Sequence, residues 1–597
     1  MTANAVTPGP VADPDRSADE IAAHTLLNCL VREVAGPAGQ LCRSGGYAVI
    51  RLPRFGLRLR VRIRRTALLG PDRFTGPVEE AVEEPGGEVS AEVGPAVGAA
   101  VGTAGWRRIG CVRLAGHIQR ELTAVTGLAN EEFAAQVRAS RDLVAAALRA
   151  RAAQHAHPVR EHPNREHRDR EHPDREYVAS EQALAYGHRF HPMPKARTGP
   201  LAEALRYAPE VGARFPLHFL AVHPAVLREE YADPSAAATF DKLGGPAVPS
   251  GYARLPVHPW QYALLRDHPA LRAALADGRL LDLGTGGPPV LPTASVRTIW
   301  HPDTGGFCKF SLNVRITNCV RRNAEYELTG AVALTRLLRP VAADLAACCP
   351  GTVLLPEPGY RTVDLGPEPG GTELLEGLGV IVRDPLTPEP GVTPLLAAAL
   401  ADEYGGTLDA VLGRGAGTAA AALAWWEEYV GLLVPPVLCG YLRHGVVFEP
   451  HQQNVVVGVG PDGAPRQVFL RDLEGVKLLP ERHRDGLAGL PERVRAQVCY
   501  DPARGWQRVA YCLLVNHLAE LLAALADRYP RLEAVGWRRV RAHLVDAGRR
   551  FGGSPELAAL LAGAPLPAKA NLLTRWARQA DRRAGYVPLA SPLGTAR

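Results

Sequence analysis

Lysine is almost missing from this 597-residue chain: Lys195, Lys242, Lys309, Lys477 and Lys569 are all it has, and arginine carries nearly every other positive charge. A coding bias toward arginine accounts for the shortage. A lysine that survives such a bias marks a position where a compact ammonium serves and a planar guanidinium does not. An excess of one charge is also lacking, since the net charge is only +6 and the basic residues are spread along the chain. That argues against nucleic acid as a partner. No run reaches the roughly 18 uninterrupted apolar residues of a membrane span; the longest candidate, Val430 to Leu442, is broken by Pro435 and Pro436. The first residues, with Pro8, Pro10, Asp13, Asp15 and Arg16, have no apolar signal core and read as a short disordered lead. Ten cysteines occur without a single CxxC pair, and only Cys348 and Cys349 are adjacent. Neither a zinc site nor a disulfide framework is expected, and reduced thiols suit a cytoplasmic protein.

What is present divides the chain. Its length predicts two or three domains. Residues 1–153 form an N-terminal region with a helical pattern over 17–36, capped by Ser17, and alternating strands such as Leu57-Arg58-Leu59-Arg60-Val61-Arg62-Ile63. Residues 79–105 turn rich in Glu, Gly and Ala and read as an exposed loop. Residues 154–178, with Glu161-His162-Pro163 and Glu171-His172-Pro173, form a His-, Pro- and charge-rich linker or insertion. Residues 179–391 carry most of the clustered hydroxyls and cations, and 392–597 are mainly helical, with helices expected at 395–404, 418–433, 509–529 and 532–551. The all-round apolar run from Tyr511 to Leu525 predicts a helix buried against a sheet.

Chemistry concentrates in a few stretches. In the C-terminal region, Asn454-Val455-Val456-Val457, the turn signal Gly460-Pro461-Asp462-Gly463 and Val468-Phe469-Leu470-Arg471-Asp472 read as two tightly joined strands that bring Asn454 and Asp472 together. An amide oxygen beside a carboxylate makes a hard-cation site, and Mg²⁺ held by few protein ligands shares its other positions with phosphates. Upstream, Ser295, Arg297 and Thr298 place hydroxyls and a guanidinium within four residues; an extended backbone there would put Ser295 and Arg297 on one side. Lys309, then Thr317, Asn318 and Arg321, add donors of different reach. The loop from Tyr186 to Gly199 packs His188, His191, Lys195 and Arg197 into Pro- and Gly-rich sequence, suited to an anionic substrate. His258-Pro259-Trp260-Gln261 is open to two readings, a structural corner or a functional one.

Taken together, His188-x-x-His191-Pro192-x-x-Lys195-x-Arg197-x-Gly199, His258-Pro259-Trp260-Gln261, Ser295-x-Arg297-Thr298, Lys309, Thr317 to Arg321, Glu449-x-His451-x-Gln453-Asn454 and Arg471-Asp472-x-Glu474-Gly475 resemble the IucA/IucC family of NRPS-independent siderophore synthetases. The resemblance spans roughly Tyr186 to Lys477. It implies an α+β protein of thumb, fingers and palm regions, with mixed antiparallel sheets, C-terminal helices and a palm distantly similar to protein kinases. It further implies a cytoplasmic homodimer that uses ATP and Mg²⁺ to adenylate a carboxylate, commonly of citrate or a citrate derivative, and condenses it with an amine or alcohol. By motif match, Lys309, Arg321 and His451 would be catalytic. Ser295, Arg297, Thr298, Lys309, His451, Asn454 and Asp472 would bind the nucleotide. His188, His191, Lys195, Arg197, Thr317, Asn318 and Arg321 would bind substrate, and Glu449, Asn454 and Asp472 would hold the metal. Two other classes stay open. A small-molecule kinase also uses an Asn and a later Asp for Mg²⁺, but here Glu449 stands where its catalytic Asp belongs and the H-R-D signature is absent. A non-catalytic metal or siderophore binder would use the His-rich tract and would not need phosphate donors from Ser295 to Lys309.

Overall fold

Helices and mainly antiparallel sheets follow one another along the chain, as the α+β expectation has it. The structure is a computed structural model describing residues 13–82, 105–156, 174–317, 319–367, 369–415, 417–580 and 583–594. The greater part of the expected 79–105 loop and of the His-rich tract falls outside these residues, as does Asn318.

Near the N-terminus, five strands from Leu41–Ser44 to Arg107–Ile109 form an antiparallel meander. The alternation in Leu57–Arg65 turns Leu57, Leu59 and Val61 into the core, under helices Pro14–Leu30, Cys111–Thr126 and Phe133–Ala156. Helix Pro14–Leu30 starts earlier than Ser17, because the Asp13 carboxylate accepts the Arg16 N–H at 3.1 Å and caps it.

The middle of the chain builds an eight-stranded antiparallel sheet. Its central order runs Gly359–Val363, Val380–Arg383, Phe307–Phe310, Thr298–Trp300, Leu280–Pro292. Lys309 pairs with Thr298 on one side and Ile381 on the other, while Arg383 pairs with Phe307. Because side chains repeat every second residue, Lys309 and Arg383 emerge on the same face.

In the C-terminal part, strands Val455–Val459 and Pro465–Leu470 pair antiparallel across the expected turn, with Val455 opposite Leu470. Thr393–Leu396 joins them as a strand, and helix begins only at Ala397, so the helix expected over 395–404 is shortened by pairing of Leu395 with Val457 and Leu396 with Val456. Thr352–Leu354 runs parallel to Pro465–Leu470, the one parallel pair of strands among the described residues. A small core of Leu291, Trp300 and Phe307 from the large sheet and Leu396, Val456 and Phe469 from the small one joins the two sheets, closed by Tyr177.

The helix Glu325–Cys348 packs into the same large core as helices Ala419–Leu442, Pro502–Arg528 and Leu532–Phe551. Among the described residues, Pro502–Arg528, not Val430 to Leu442, is the helix apolar and long enough to cross a membrane, yet its apolar window is wholly buried inside the protein. Its central part, Tyr511–Leu518, widens to π pitch.

Candidate active site

Three buried cations meet two carboxylates where the large sheet faces the end of the small one. From the shared face, Lys309 reaches both Asp472 and Glu474, its Nζ lying 2.6 Å from Glu474 Oε2. Arg383 Nη2 lies 3.1 Å from Asp472 Oδ1 and is braced behind by Glu357, at 3.0 Å from its Nε. Arg297 Nη2 lies 3.1 Å from Glu474 Oε2, while its Nη1 donates to Asn323 Oδ1 at 2.6 Å. Asn323 in turn donates to the Lys309 and Gly379 carbonyls, both at 3.0 Å, and so ties the guanidinium to the sheet. Lys309 and Arg383 are 2% and 4% exposed, against 30% for each carboxylate, so the anions front the cleft and the cations lie beneath them.

These charges set one another. Burial alone would lower Lys309, but Asp472, Glu474 and Glu357 outweigh it and raise its pKa. Burial would raise Asp472 and Glu474; Lys309 with Arg383 and Arg297 reverses this, leaving Asp472 far below the carboxylate range and Glu474 at about 2. Glu327, in the first turn of the Glu325–Cys348 helix, goes the other way. Burial first and the Glu474 charge second push it up to about 7, against Arg297.

Backbone strain gathers at the same place. Among the described residues, Val296 (φ 70°), Thr317 (φ 58°), Asp472 (φ 78°) and Arg578 are the non-glycine residues with positive φ, and three of these four lie in the predicted site segments. Such conformations cost about 1–3 kcal/mol each and persist only where the surroundings enforce them. At Val296 the reason is a tight turn. Ser295 and Arg297 are not on an extended segment: Thr293 N donates to Thr298 O at 2.8 Å, and Ser295 Oγ accepts the Thr298 N–H at 3.1 Å. The turn, rather than strand alternation, aims Arg297.

The loop from Phe448 to Asn454 borders the carboxylates. Arg471 N donates to Asn454 O at 3.0 Å, which sets Asn454 beside the Asp472 backbone as the strand pairing predicts. Behind the loop, the wide-pitch helix offers Asn516, whose side-chain oxygen accepts the Gln452 N–H at 3.3 Å, and His517, whose Nδ1 lies 2.8 Å from Pro450 O. π-pitch segments recur at functional sites because they re-aim side chains in this way. Burial lowers the pKa of His451, while Glu449 and Asp472 oppose that shift. Glu449, expected as a metal ligand, is instead occupied by Arg508, whose Nη1 lies 2.9 Å from Oε1.

The expected substrate-binding residues separate into two sets. His188 stands at this loop, with Nε2 2.6 Å from Asn516 Nδ2; burial, then the charges of His191, Arg32, His451 and Lys569, lower it to about 3. His191 is buried alongside, its Nδ1 accepting the Met193 N–H. Arg321 Nη2 donates to Thr317 Oγ1 at 3.1 Å at the tip of the hairpin Leu312–Ile316 and Cys319–Arg321. Lys195 and Arg197, however, are buried on Glu210, at 2.5 and 2.6 Å. Their charges are neutralised inside the fold, so they hold the loop in place rather than meet an anion. His258 and Trp260 also serve packing: His258 caps helix Pro259–Leu265, and Trp260 stacks on Tyr207.

Several participants were not singled out by sequence reasoning. Arg383 was visible only as a strand ending in a cation. Glu357, Asn323 and Glu327 carried no local signal. Arg471 is held in a buried network with Glu181 (2.6 Å) and Tyr177 (2.9 Å) from helix Asp174–Gln182, next to the His-rich tract. The donor set suits Mg²⁺: Asp472, Glu474 and Asn454 offer the hard oxygens that this ion takes from protein. Removing the two carboxylates to a metal would free Lys309, Arg297 and Arg383 for phosphate oxygens, to which they are suited as charge-assisted donors.

Comparison with known proteins gives the chain its relatives. Residues 176–402 match the family model described as IucA / IucC family, and residues 423–584 match that of the ferric iron reductase FhuF-like transporter. The chain is 31% identical to the rhizobactin siderophore biosynthesis protein RhbC of Rhizobium meliloti over 70% of its own length and 75% of that protein. It is 30% identical to an L-2,3-diaminopropanoate–citrate ligase of Staphylococcus aureus, over 67% and 72%. The fold superposes on ATP-bound aerobactin synthetase IucA of Klebsiella pneumoniae with TM-score 0.79 at 24% identity, covering 97% of this chain and 100% of that one. The petrobactin biosynthesis protein AsbB of Bacillus anthracis gives 0.73 at 17%, covering 97% and 96%. The chain belongs to the IucA/IucC family of siderophore synthetases.

Proposed function

We propose that this enzyme uses ATP and Mg²⁺ to activate a carboxylate of citrate or a citrate derivative as an acyl-adenylate, then passes the acyl group to an amine or hydroxyl in siderophore assembly. The observation that carries the reading is the set of three cations under two carboxylates at Lys309, Arg297, Arg383, Asp472 and Glu474. The carboxylate oxygen attacks the α-phosphorus and pyrophosphate leaves; the nucleophile then attacks the acyl carbon, loses its proton, and AMP leaves. Both partners of the first step are anions, so charge must be cancelled before they meet. Lys309 and Arg297 serve the phosphates, with Ser295 and Thr298 shaping the turn beside them. Asp472, with Asn454 and Glu474, would hold Mg²⁺, which neutralises the phosphate oxygens. Arg321, with Thr317 and Asn318, orients the carboxylate. His451, kept neutral by burial, offers a ring N–H to the activated group.

Relatives named as ligases of citrate with diaminopropanoate and with spermidine support citrate and an amine as the substrate pair. In this reading the regions 1–153, 179–391 and 392–597 act as thumb, fingers and kinase-like palm, with 154–178 inserted between the first two, and the working form is a cytoplasmic homodimer. The deciding experiment is nucleotide product analysis with citrate and an amine. AMP with pyrophosphate is expected, and ADP would overturn the proposal in favour of phosphoryl transfer.

A further inference from the structure

Away from the cleft, a second cluster of metal-ligating side chains joins two helices. Asp344 and Cys348 lie one turn apart on helix Glu325–Cys348, and Cys439 faces them from helix Ala419–Leu442. Their ligand atoms all lie within 4.8 Å of one another. Cys348 Sγ is 3.7 Å from Cys439 Sγ and 3.8 Å from Asp344 Oδ2. Two thiolates on one tetrahedral Zn²⁺, with bonds of about 2.3 Å, stand about 3.7–3.8 Å apart, and a thiolate and a carboxylate oxygen about 3.6 Å apart. The two edges that meet at Cys348 already have nearly those lengths, and the third, between Asp344 and Cys439, is within 4.8 Å.

The surroundings match as well. His444 Nε2 lies 2.8 Å from Asp344 Oδ2, the kind of partner that orients a carboxylate ligand. Cys349 Sγ is 3.7 Å from Cys348 Sγ, a third sulfur beside the pair. Arg443 Nη1, 3.5 Å from Asp344 Oδ2, offsets the excess negative charge that two thiolates and a carboxylate place on a divalent ion. Asp344 keeps 30% exposure and Cys348 is half-buried, so the fourth position opens to solvent. The cysteine spacing had excluded a zinc site because no CxxC pair exists; here the ligands come from helix periodicity and from a residue ninety-one positions away.

We propose that Asp344, Cys348 and Cys439 form a site for a thiophilic divalent cation of the Zn²⁺ class, with solvent at the fourth position and His444 positioning the carboxylate. Asp344 is seventeen residues beyond Glu327 on the same helix, about 26 Å at 1.5 Å per residue, so the ion acts apart from the reaction. It pins the end of that helix to its neighbour.

The test is titration of the reduced full-length protein with Co²⁺, whose spectrum reports thiolate ligands, and with Zn²⁺ in competition with a chromogenic chelator. The expected result is about one cation per chain, thiolate-to-cobalt charge transfer with tetrahedral visible bands, and release of the thiol protons on binding. Cys348→Ser and Cys439→Ser each remove the charge-transfer signal, Asp344→Asn weakens uptake without requiring any change in the buried core, and His444→Gln weakens it by about 10–100-fold. Cys42→Ser, at an exposed thiol elsewhere, leaves uptake unchanged. Wild-type protein that gives no thiolate spectrum, or a Cys348→Ser/Cys439→Ser variant that keeps it, overturns the proposal; so does oxidation to a Cys348–Cys439 disulfide with no cation uptake beforehand.

Discussion

At the scale of single residues, the candidate site gathers cations that are buried away from water. Lys309 is enclosed by three carboxylates, Asp472, Glu474 and Glu357, whose charges hold it protonated, so its ammonium is permanent and placed by the sheet. A preorganised donor of this kind contributes about 2.7–4 kcal/mol to a transition state. Lys309→Ala and Arg297→Ala should therefore each slow pyrophosphate release with citrate about 10²–10³-fold, and a near wild-type rate in either variant would remove the charge-cancelling role assigned to them. Glu327 gives a pH prediction. Its pKa rises from 4.5 to about 7, chiefly through burial, so between those values the folded state holds a proton that the unfolded chain has released. Its contribution to stability is full below 4.5 and is lost as pH rises through about 7. Glu327→Gln keeps an acceptor for the Ala324 N–H and should flatten that part of the stability profile in denaturant titrations across the window. An unchanged slope would mean that Glu327 ionises normally.

At the scale of elements, the site depends on pieces that never touch it. Helix Asp174–Gln182 fixes Arg471 through Glu181, and through Arg471 the Gln453 carbonyl, at 2.8 Å, next to Asn454. Ser180 Oγ adds an acceptor for the Leu396 N–H at 2.9 Å, which locks the helix to the small sheet. Breaking a buried ion pair by removing one partner leaves the other charge unpaired and costs about 3–5 kcal/mol. Glu181→Ala should lower the stability by that amount in chemical denaturation, whereas a loss below 1 kcal/mol, the range of a surface pair, would show that water reaches Arg471. The π-pitch segment plays a similar part for the Phe448–Asn454 loop, since regular helix would turn Asn516 and His517 away from the backbone groups they now meet.

At the scale of the whole molecule, the chain closes on itself. The last helix, Asn571–Trp576, packs into the N-terminal core. Trp576 meets Phe133 edge to face at 5.7 Å, and the Leu572 and Leu573 N–H groups donate to Glu33 at 3.0 and 2.9 Å. On the other side, Arg65 and Arg73 of the N-terminal sheet share Asp527 of the C-terminal helices at 2.9 and 2.8 Å. The N-terminal body is thus held by contacts from the far end of the sequence. Trp576→Ala, with the roughly 3–5 kcal/mol typical of losing a buried Trp, should expose the N-terminal meander first. Hydrogen exchange would show this as lost protection in Tyr47–Leu52 and Leu57–Arg65 ahead of the C-terminal helices; uniform loss across the chain would contradict it.

The sequence by itself was enough for the family, the α+β class and the strand pair that sets Asn454 next to Arg471 and Asp472, and it singled out Arg297 and Lys309, which the fold brings together at Glu474. These are local signals: β-branched runs, a Gly-Pro-Asp-Gly turn, and rare lysines in an arginine-rich chain. Only the tertiary structure decided which cations remain available. Lys195 and Arg197 look as functional as Lys309 in one dimension, yet Glu210, itself 1% exposed, neutralises them, and Glu449 is paired with Arg508. Arg383 entered the site through sheet register and Glu357 through its ion pair with Arg383, and Asp344, Cys348 and Cys439 met through helix packing. The physical reason is the same in each case. A side chain's type is written locally, but whether its charge is spent inside the fold or left for a ligand depends on partners up to hundreds of residues away.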